Sequence, residues 1–177
     1  MGIKLDIGCG PNKKQGYLGV DRVRFTGVDF VCDLGKDKLP CGDNTVEEVY
    51  ASHFLEHLNS EERVQIMNEA YRVLEPRGKV IIICPYWSSG RAYGDPTHQW
   101  PPISDFWFYY LDQKWRMENA PHTDKRHWEK GFDCDFECTW GYGLHSEILT
   151  RNMEFQQFAT MFYKEAVQDI CATLTKR

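Results

Sequence analysis

The sequence predicts an α/β fold built on a doubly wound, mostly parallel sheet. Three features carry that expectation. Short apolar runs recur along the first half of the chain, each ending in glycine, an acid or a polar residue. Between the fourth and fifth runs lies a segment of helical period. The fifth, "KVIIICP" (Lys79–Pro85), is almost wholly apolar, as suits a strand covered on both faces.

Taken in order, Lys4–Ile7 reads as a buried strand running straight into Gly8, Cys9, Gly10 and Pro11. Tyr17–Val20 is a second strand, ending at Asp21, and Asp29–Cys32 a third, ending at Asp33. "EEVYAS" (Glu47–Ser52) is the fourth, followed by His53. In "NSEERVQIMNEAYRVLEPRG", apolar residues at Val64, Met67, Ala70, Tyr71 and Leu74 fall on one helix face. Asn59 with Glu62 makes a capping box at its start, and Pro76 and Gly78 are expected to end it. From residue 86 to about 130 the chain becomes an insertion crowded with proline, histidine and aromatic residues, with one helix expected around Ile103–Leu111. "FDCDFECTW" (Phe132–Trp140) alternates as a half-exposed edge strand does. The segment 151–174 places Phe155, Phe158, Phe162, Ala166 and Ile170 on one face and predicts a long C-terminal helix, which would cover the sheet or pair with a second copy as a homodimer.

The 177 residues suffice for one substantial core, and the chain is expected to be a single domain over 1–177, with 86–130 inserted over the rim of the sheet. A net charge of −5 argues against a protein that grips a phosphate backbone. Seven cysteines, an odd number, sit in scattered apolar or turn contexts, and no long apolar run or leader-like start is present. A reduced, soluble, cytoplasmic protein without a membrane partner is the expectation.

In open α/β sheets, ligands bind at the carboxyl ends of the strands. Here successive strands deliver Gly8-Cys9-Gly10, then Asp21, then Asp33-Leu34, then Ser52-His53 to one rim. Each group alone is commonplace, since a strand-ending Asp often only caps a turn. Their order points to a nucleoside. Glycines admit a ligand close to the backbone, an ionised Asp21 can accept both ribose hydroxyl protons, and Asp33 can accept from an exocyclic amine. A nicotinamide dinucleotide does not fit, because Lys13 stands where the third glycine of Gly-x-Gly-x-x-Gly belongs and Asp21 follows far too soon. A P-loop is excluded by the lack of Gly-Lys-Ser/Thr.

The stretches "LDIGCGPN", "GVD", "VCDL", "LPCGDNTVEEVYASHFLEHL" and "EAYRVLEPRGKVIIICP" resemble, in order, the motifs of class I S-adenosylmethionine-dependent methyltransferases over Lys4–Pro85. The resemblance implies a Rossmann-like methyltransferase fold, S-adenosyl-L-methionine as cofactor and S-adenosyl-L-homocysteine as product. It also implies Asp6, Gly8, Cys9 and Gly10 around the methionine moiety, Asp21 on the ribose, Asp33 and Leu34 on adenine, and Ser52 and His53 beside the sulfonium. "PNKKQG" leaves room for only about one turn of the family's first helix.

Methyl transfer is an in-line displacement, and it needs a base only where the nucleophile arrives protonated. The catalytic candidates are His98 and His53. Acceptor contacts are expected from Tyr86 and Trp87 in "CPYW" and from Asp95 and His98 in "GDPTHQW". His57, four residues after His53, would share a face with it in a helical turn, although a structural role within "LEHL" is the plainer reading. His122, His127, Cys134 and Cys138 have permissive but unsupported zinc spacing, and no metal is expected. The expected activity is methylation of a small molecule or a modified sugar or base. The alternatives are a non-catalytic S-adenosylmethionine-binding module and a nucleic-acid methyltransferase.

Overall fold

The computed structural model describes residues 2–177. Seven strands form one sheet in the order β3-β2-β1-β4-β5-β7-β6. They are β1 (Ile3–Ile7), β2 (Leu18–Asp21), β3 (Val28–Val31), β4 (Val46–Ser52), β5 (Leu74–Pro85), β6 (Phe136–Leu144) and β7 (Val167–Lys176). The first five pair in parallel, and β7 runs antiparallel between β5 and β6. The helices are α1 (Ser60–Val73), α2 (Arg91–Gly94), α3 (Asp105–Tyr109), α4 (Gln113–Asn119), α5 (Ser146–Leu149) and α6 (Met153–Phe162).

The strands form where β-branched and aliphatic residues cluster, and their inward positions make the core. Leu5, Val20, Val49, Val80 and Ile82 are buried in it together with Val64, Met67 and Ala70 of α1. The Asn59–Glu62 capping box is present in both directions, at 3.0 Å each. α1 ends at Val73, ahead of Pro76, because Leu74 is already extended and pairs with Val46 of β4. Residues 75–78 then bulge out before Lys79 pairs with Glu48, and Arg77 takes a φ of 68° there. Pro76 and Gly78 therefore shape the entry to β5 and do not end the helix.

Two further expectations are corrected. The long C-terminal helix is in fact α6 followed by a strand. Helical period ends at Phe162, the chain turns through Glu165 at φ 67°, and Val167, Ile170, Ala172 and Leu174 enter the core from β7. Ile170 thus belongs to the sheet and Ala166 to the bend that leads into it, and no long C-terminal helix is present among the described residues. The short first helix is absent too: 11–16 is turn, held by Gly10 and Gly16 at positive φ and by Lys14 N donating to Asp6 Oδ2 at 2.7 Å. Side chains stand where that helix would lie. Lys14 Nζ sits 3.7 Å from the centre of the Tyr50 ring, and Tyr17 donates its hydroxyl to Glu48. Register places Asp6, Tyr50 and Ile81 in one cross-strand row on this face. Ile81 and Ile83 are consequently only half-buried, so β5 is covered fully on one face alone.

The edge strand is present but displaced to Phe136–Leu144. In the insertion, α3 falls inside the expected helix, while α4, capped by Asp112, carries no clear apolar period. Its organising group is Arg116, wholly buried, which pairs with Asp124 at 2.8 Å and donates to the carbonyls of Tyr110 and Cys134. Hydrogen bonds from Arg126 and Arg116 hold the Asp124 carboxyl well below the usual range. Phe108 stacks on Trp140 at 5.8 Å, and with Ile103 and Leu111 it extends the core of the sheet toward β6, while Trp100 and Phe106 stay exposed. No helix among the described residues is long and apolar enough to cross a membrane.

The strand assignment of the C-terminus has a direct test. Leu174→Ala, at a fully buried position of β7, is expected to cost about 2–5 kcal/mol in urea unfolding. Met161→Ala, 75% exposed on α6, is expected to stay within about 0.5 kcal/mol of the parent.

Candidate functional site

β1 ends in a glycine turn fixed by its neighbours. Gly8 N and Cys9 N both donate to Val20 O, at 2.8 and 3.4 Å. Gly8 has φ 66°, and a Cβ there would lie 2.2 Å from the Phe54 ring, so only glycine fits. Gly10, at φ 53°, has nothing within 4 Å of where its Cβ would be. Asp21 ties this turn to the end of β2: its Oδ2 accepts from Gly10 N and its Oδ1 from Val23 N, both at 2.9 Å. Each carboxylate oxygen keeps capacity for a further donor. Asp6 is spent internally on Lys14 N, and burial pushes its pKa up. Burial, with Asp6 and Asp21 nearby, pushes the Cys9 thiol up to about 11, so it stays protonated at neutral pH. Lys13, in the place of a third glycine, is paired with Asp29 at 2.8 Å, and Asp29 also accepts from Gly19 N.

Above these strand ends lies a cleft of about 590 Å³. Gly8, Asp21, Asp33, Leu34 and His53 line it, which brings residues from the ends of β1 to β4 into one wall. Asp6, Cys9, Gly10 and Ser52 lie behind or beside that wall and are not lining groups. The sequence reading missed Arg22, Val23, Phe25, Phe54, Leu58, Glu62, Thr97 and Gln99 as lining groups, and His57, for which it preferred a structural role, completes the lining. Arg22 and Val23 follow the β2 acid directly, a position open to sequence reasoning. Thr97 and Gln99 arrive from the insertion by tertiary packing. A larger hollow of about 1140 Å³ between α1 and 125–133 is lined mostly by charged and polar residues and contains none of the glycine turn.

His53 stands at the end of β4 with φ 51°, its N–H on Ile83 O. Its Nδ1 lies 3.3 Å from Glu56 Oε1, and that hydrogen bond raises the His53 pKa against the opposing effect of burial. Asp169, opposite Pro85 in β7, and Arg91 bear on the same ring electrostatically, and they pair with each other at 2.8 Å. Asp169 Oδ1 has no partner. Leu55–His57 is a single 3-10 turn that begins after His53, so the two histidines share no helix face although both line the cleft.

The insertion reaches this wall through Arg63. Its guanidinium is buried and donates to the carbonyls of Leu55 (2.9 Å), Gln99 (3.1 Å), Glu56 (3.5 Å) and Pro101. Gln99 N adds a bond to Glu56 O at 2.8 Å. His98 is thereby held edge-on to His57, with ring centres 4.9 Å apart, and is not among the lining residues. Asp95 Oδ1 accepts from Thr97 N and Oγ1 in a turn of its own.

Tyr86 and Trp87 are separated. Tyr86 is buried, donates to Asp105 and packs edge-on to Tyr142, so it belongs to the core. Trp87 is exposed and faces a second, mostly apolar hollow of about 520 Å³, shared with Ser88, Tyr93 and the C-terminal end of α6. His122, His127, Cys134 and Cys138 are not gathered into a ligand cluster among the described residues. All seven cysteines are unpaired.

Comparison with known proteins agrees with this architecture. Residues 5–82 match the family described as "Methyltransferase domain". A SAM-dependent methyltransferase from Archaeoglobus fulgidus superposes with a TM-score of 0.68 at 18% identity, over 99% of this chain and 86% of that one. Geranyl diphosphate C-methyltransferase from Streptomyces coelicolor A3(2), solved with Mg2+, geranyl diphosphate and S-adenosyl-L-homocysteine, gives 0.55 at 13% identity over 100% and 73%. Phosphoethanolamine N-methyltransferase 2 from Haemonchus contortus, solved with S-adenosyl-L-methionine, gives 0.52 at 15% over 99% and 49%. None of the curated protein sequences compared matches. At these identities the structural likeness establishes the fold, and the family match, over less than half of the chain, covers the part that carries the glycine turn.

Two outcomes test the geometry of the wall. Gly8→Ala forces a methyl group into the Phe54 ring at a left-handed φ, and a drop in thermal midpoint of several degrees is expected; an unchanged midpoint contradicts the close approach. Arg63→Met leaves buried carbonyls without donors and is expected to destabilise by about 1–3 kcal/mol or more. Amide exchange should rise around 97–101 before the rest of the chain.

Proposed function

We propose that this chain is an S-adenosylmethionine-dependent methyltransferase that methylates a small-molecule acceptor held over the carboxyl ends of β4 and β5. The observation that carries the reading is the convergence of Gly8, Asp21, Asp33-Leu34 and His53 on one cleft. The residues fit the cofactor on structural grounds. Open space lies where a Gly10 side chain would stand, Asp21 retains lone pairs, and the cleft volume falls within the about 300–1,000 Å³ of small-molecule pockets.

S-adenosyl-L-methionine, when bound, supplies an electrophilic methyl group on a positively charged sulfur. The chain's own task is alignment and exclusion of water. Gly8 and Gly10 let the backbone approach the methionine end. Asp21 accepts from the ribose hydroxyls, Asp33 accepts from the adenine amine, and Leu34 packs on the ring. His53 holds its Nδ1 toward Glu56, which leaves Nε2 for a proton released by the acceptor.

A small acceptor is favoured by the net charge of −5 and by the apolar hollow beside Trp87 and Tyr93, which follows directly from the end of β5. Its walls suit a flat or apolar molecule and offer no basic track for nucleic acid.

Asp21→Asn, which keeps one acceptor oxygen and the shape, is expected to raise the Kd for S-adenosylmethionine by about 10–100-fold in calorimetry. An unchanged Kd contradicts the ribose assignment. His53→Gln is expected to lower kcat by about 100-fold or more with hydroxyl acceptors while leaving cofactor affinity near that of the parent. The readout is S-adenosylhomocysteine release against a panel of small acceptors, with RNA and DNA as separate arms. Release only in the nucleic-acid arms would overturn the small-acceptor reading.

A further inference from the structure

Glu56, His57 and His98 offer one metal-ligating atom each, all within 4.8 Å of one another. Neither hydrogen bonding nor burial leaves this cluster self-sufficient. Glu56 is 5% exposed, and its Oε2 has no hydrogen-bond partner, while its Oε1 faces His53. An unpaired buried carboxylate oxygen is costly and calls for a proton or a cation.

The two imidazoles supply no donor to it in their neutral forms. Thr97 Oγ1 donates its single proton to Asp95 Oδ1 at 2.7 Å, so at 2.9 Å it accepts from His57 Nδ1. His98 Nδ1 lies 3.3 Å from the Ala92 carbonyl, which can only accept. Both tautomers therefore carry hydrogen on Nδ1 and leave Nε2 unprotonated; the nearest carboxylate oxygen to His98 Nε2, Asp95 Oδ2, lies 3.9 Å away, beyond hydrogen-bond distance. A carbonyl or hydroxyl partner that fixes the far nitrogen of a histidine is the usual support of a metal-binding imidazole. Arg63 and the Gln99–Glu56 backbone bond lock the two chain segments that contribute the ligands.

We propose that Glu56, His57 and His98 form a binding site for a divalent transition-metal ion at the edge of the cleft. Two imidazoles and a carboxylate suit zinc or its substitute cobalt, with bonds of about 2.0–2.2 Å that draw the ligands inward on loading. His57 lines the cleft and His98 backs it, so the ion reaches the cavity with coordination positions free for an oxygen-bearing ligand. That second role, polarising an oxygen of the methyl acceptor, rests on the reading of the cleft as a methyltransferase site; metal binding itself does not.

The test is a titration of the metal-free protein with Co2+, followed by visible absorption and calorimetry without S-adenosylmethionine. One saturable equivalent with a ligand-field band is expected. Glu56→Gln and His98→Ala should abolish the band. Thr97→Val, an exposed change that removes the hydroxyl shared by His57 Nδ1 and Asp95 Oδ1, should weaken affinity by about 10–100-fold. His122→Ala should leave both readouts unchanged. Absence of saturable Co2+ binding by the folded parent, or a band that survives both Glu56→Gln and His98→Ala, overturns the site. S-adenosylmethionine binding is measured separately on the metal-free protein, so failure of the metal site and failure of the methyltransferase reading are distinguishable.

Discussion

The arrangement depends on one buried cation. Arg63, on the inner face of α1, has no carboxylate within hydrogen-bond distance and spends its guanidinium on the carbonyls of Leu55, Glu56, Gln99 and Pro101. Burial lowers its pKa, yet an arginine starts so high that it stays charged. A guanidinium that faces several carbonyls at once fixes directions as well as distances, because its donors lie in a rigid plane. The turn after β4 and the beginning of the insertion can therefore meet in one way. That meeting completes the cleft with Thr97 and Gln99 and sets His57 against His98.

The opposite side of the cleft is built without the helix that would ordinarily follow a first glycine turn. Asp6 and Asp21 take its place as anchors, the one gripping Lys14 N and the other Gly10 N. Both bonds run from a carboxylate to backbone, so the turn is held at its two ends by charge-assisted contacts and not by helical packing. The cost appears on the sheet face behind it, where Tyr17, Tyr50 and Lys14 shield β1 and β4 and leave Ile81 and Ile83 half-covered.

Much of this was legible in the sequence, for physical reasons that also explain the failures. Strand ends announce themselves locally, because an apolar run that stops at Gly8, Asp21, Asp33 or Ser52 is punctuation within a few residues. The Asn59–Glu62 cap is equally local. The C-terminus was misread because Phe155, Phe158 and Phe162 set a helical period that Ala166 and Ile170 continue by chance across the turn at Glu165. Tyr86 beside Trp87 suggested a shared stacking surface, but at the end of a strand neighbours point to opposite sides, and one went into the core. Asp169 and Arg91, and the approach of His98 to His57, join residues distant in the chain, and no spacing rule reports such pairs.

The central claim is that the adenosyl cofactor occupies the cleft over the ends of β1 to β4. Hydrogen–deuterium exchange with and without S-adenosyl-L-homocysteine tests it most directly. The account predicts slowed exchange confined to 8–10, 21–25, 33–34 and 53–58, with little change along α6. Protection centred on Trp87, Tyr93 and 160–164, or no protection at a saturating concentration, would contradict it.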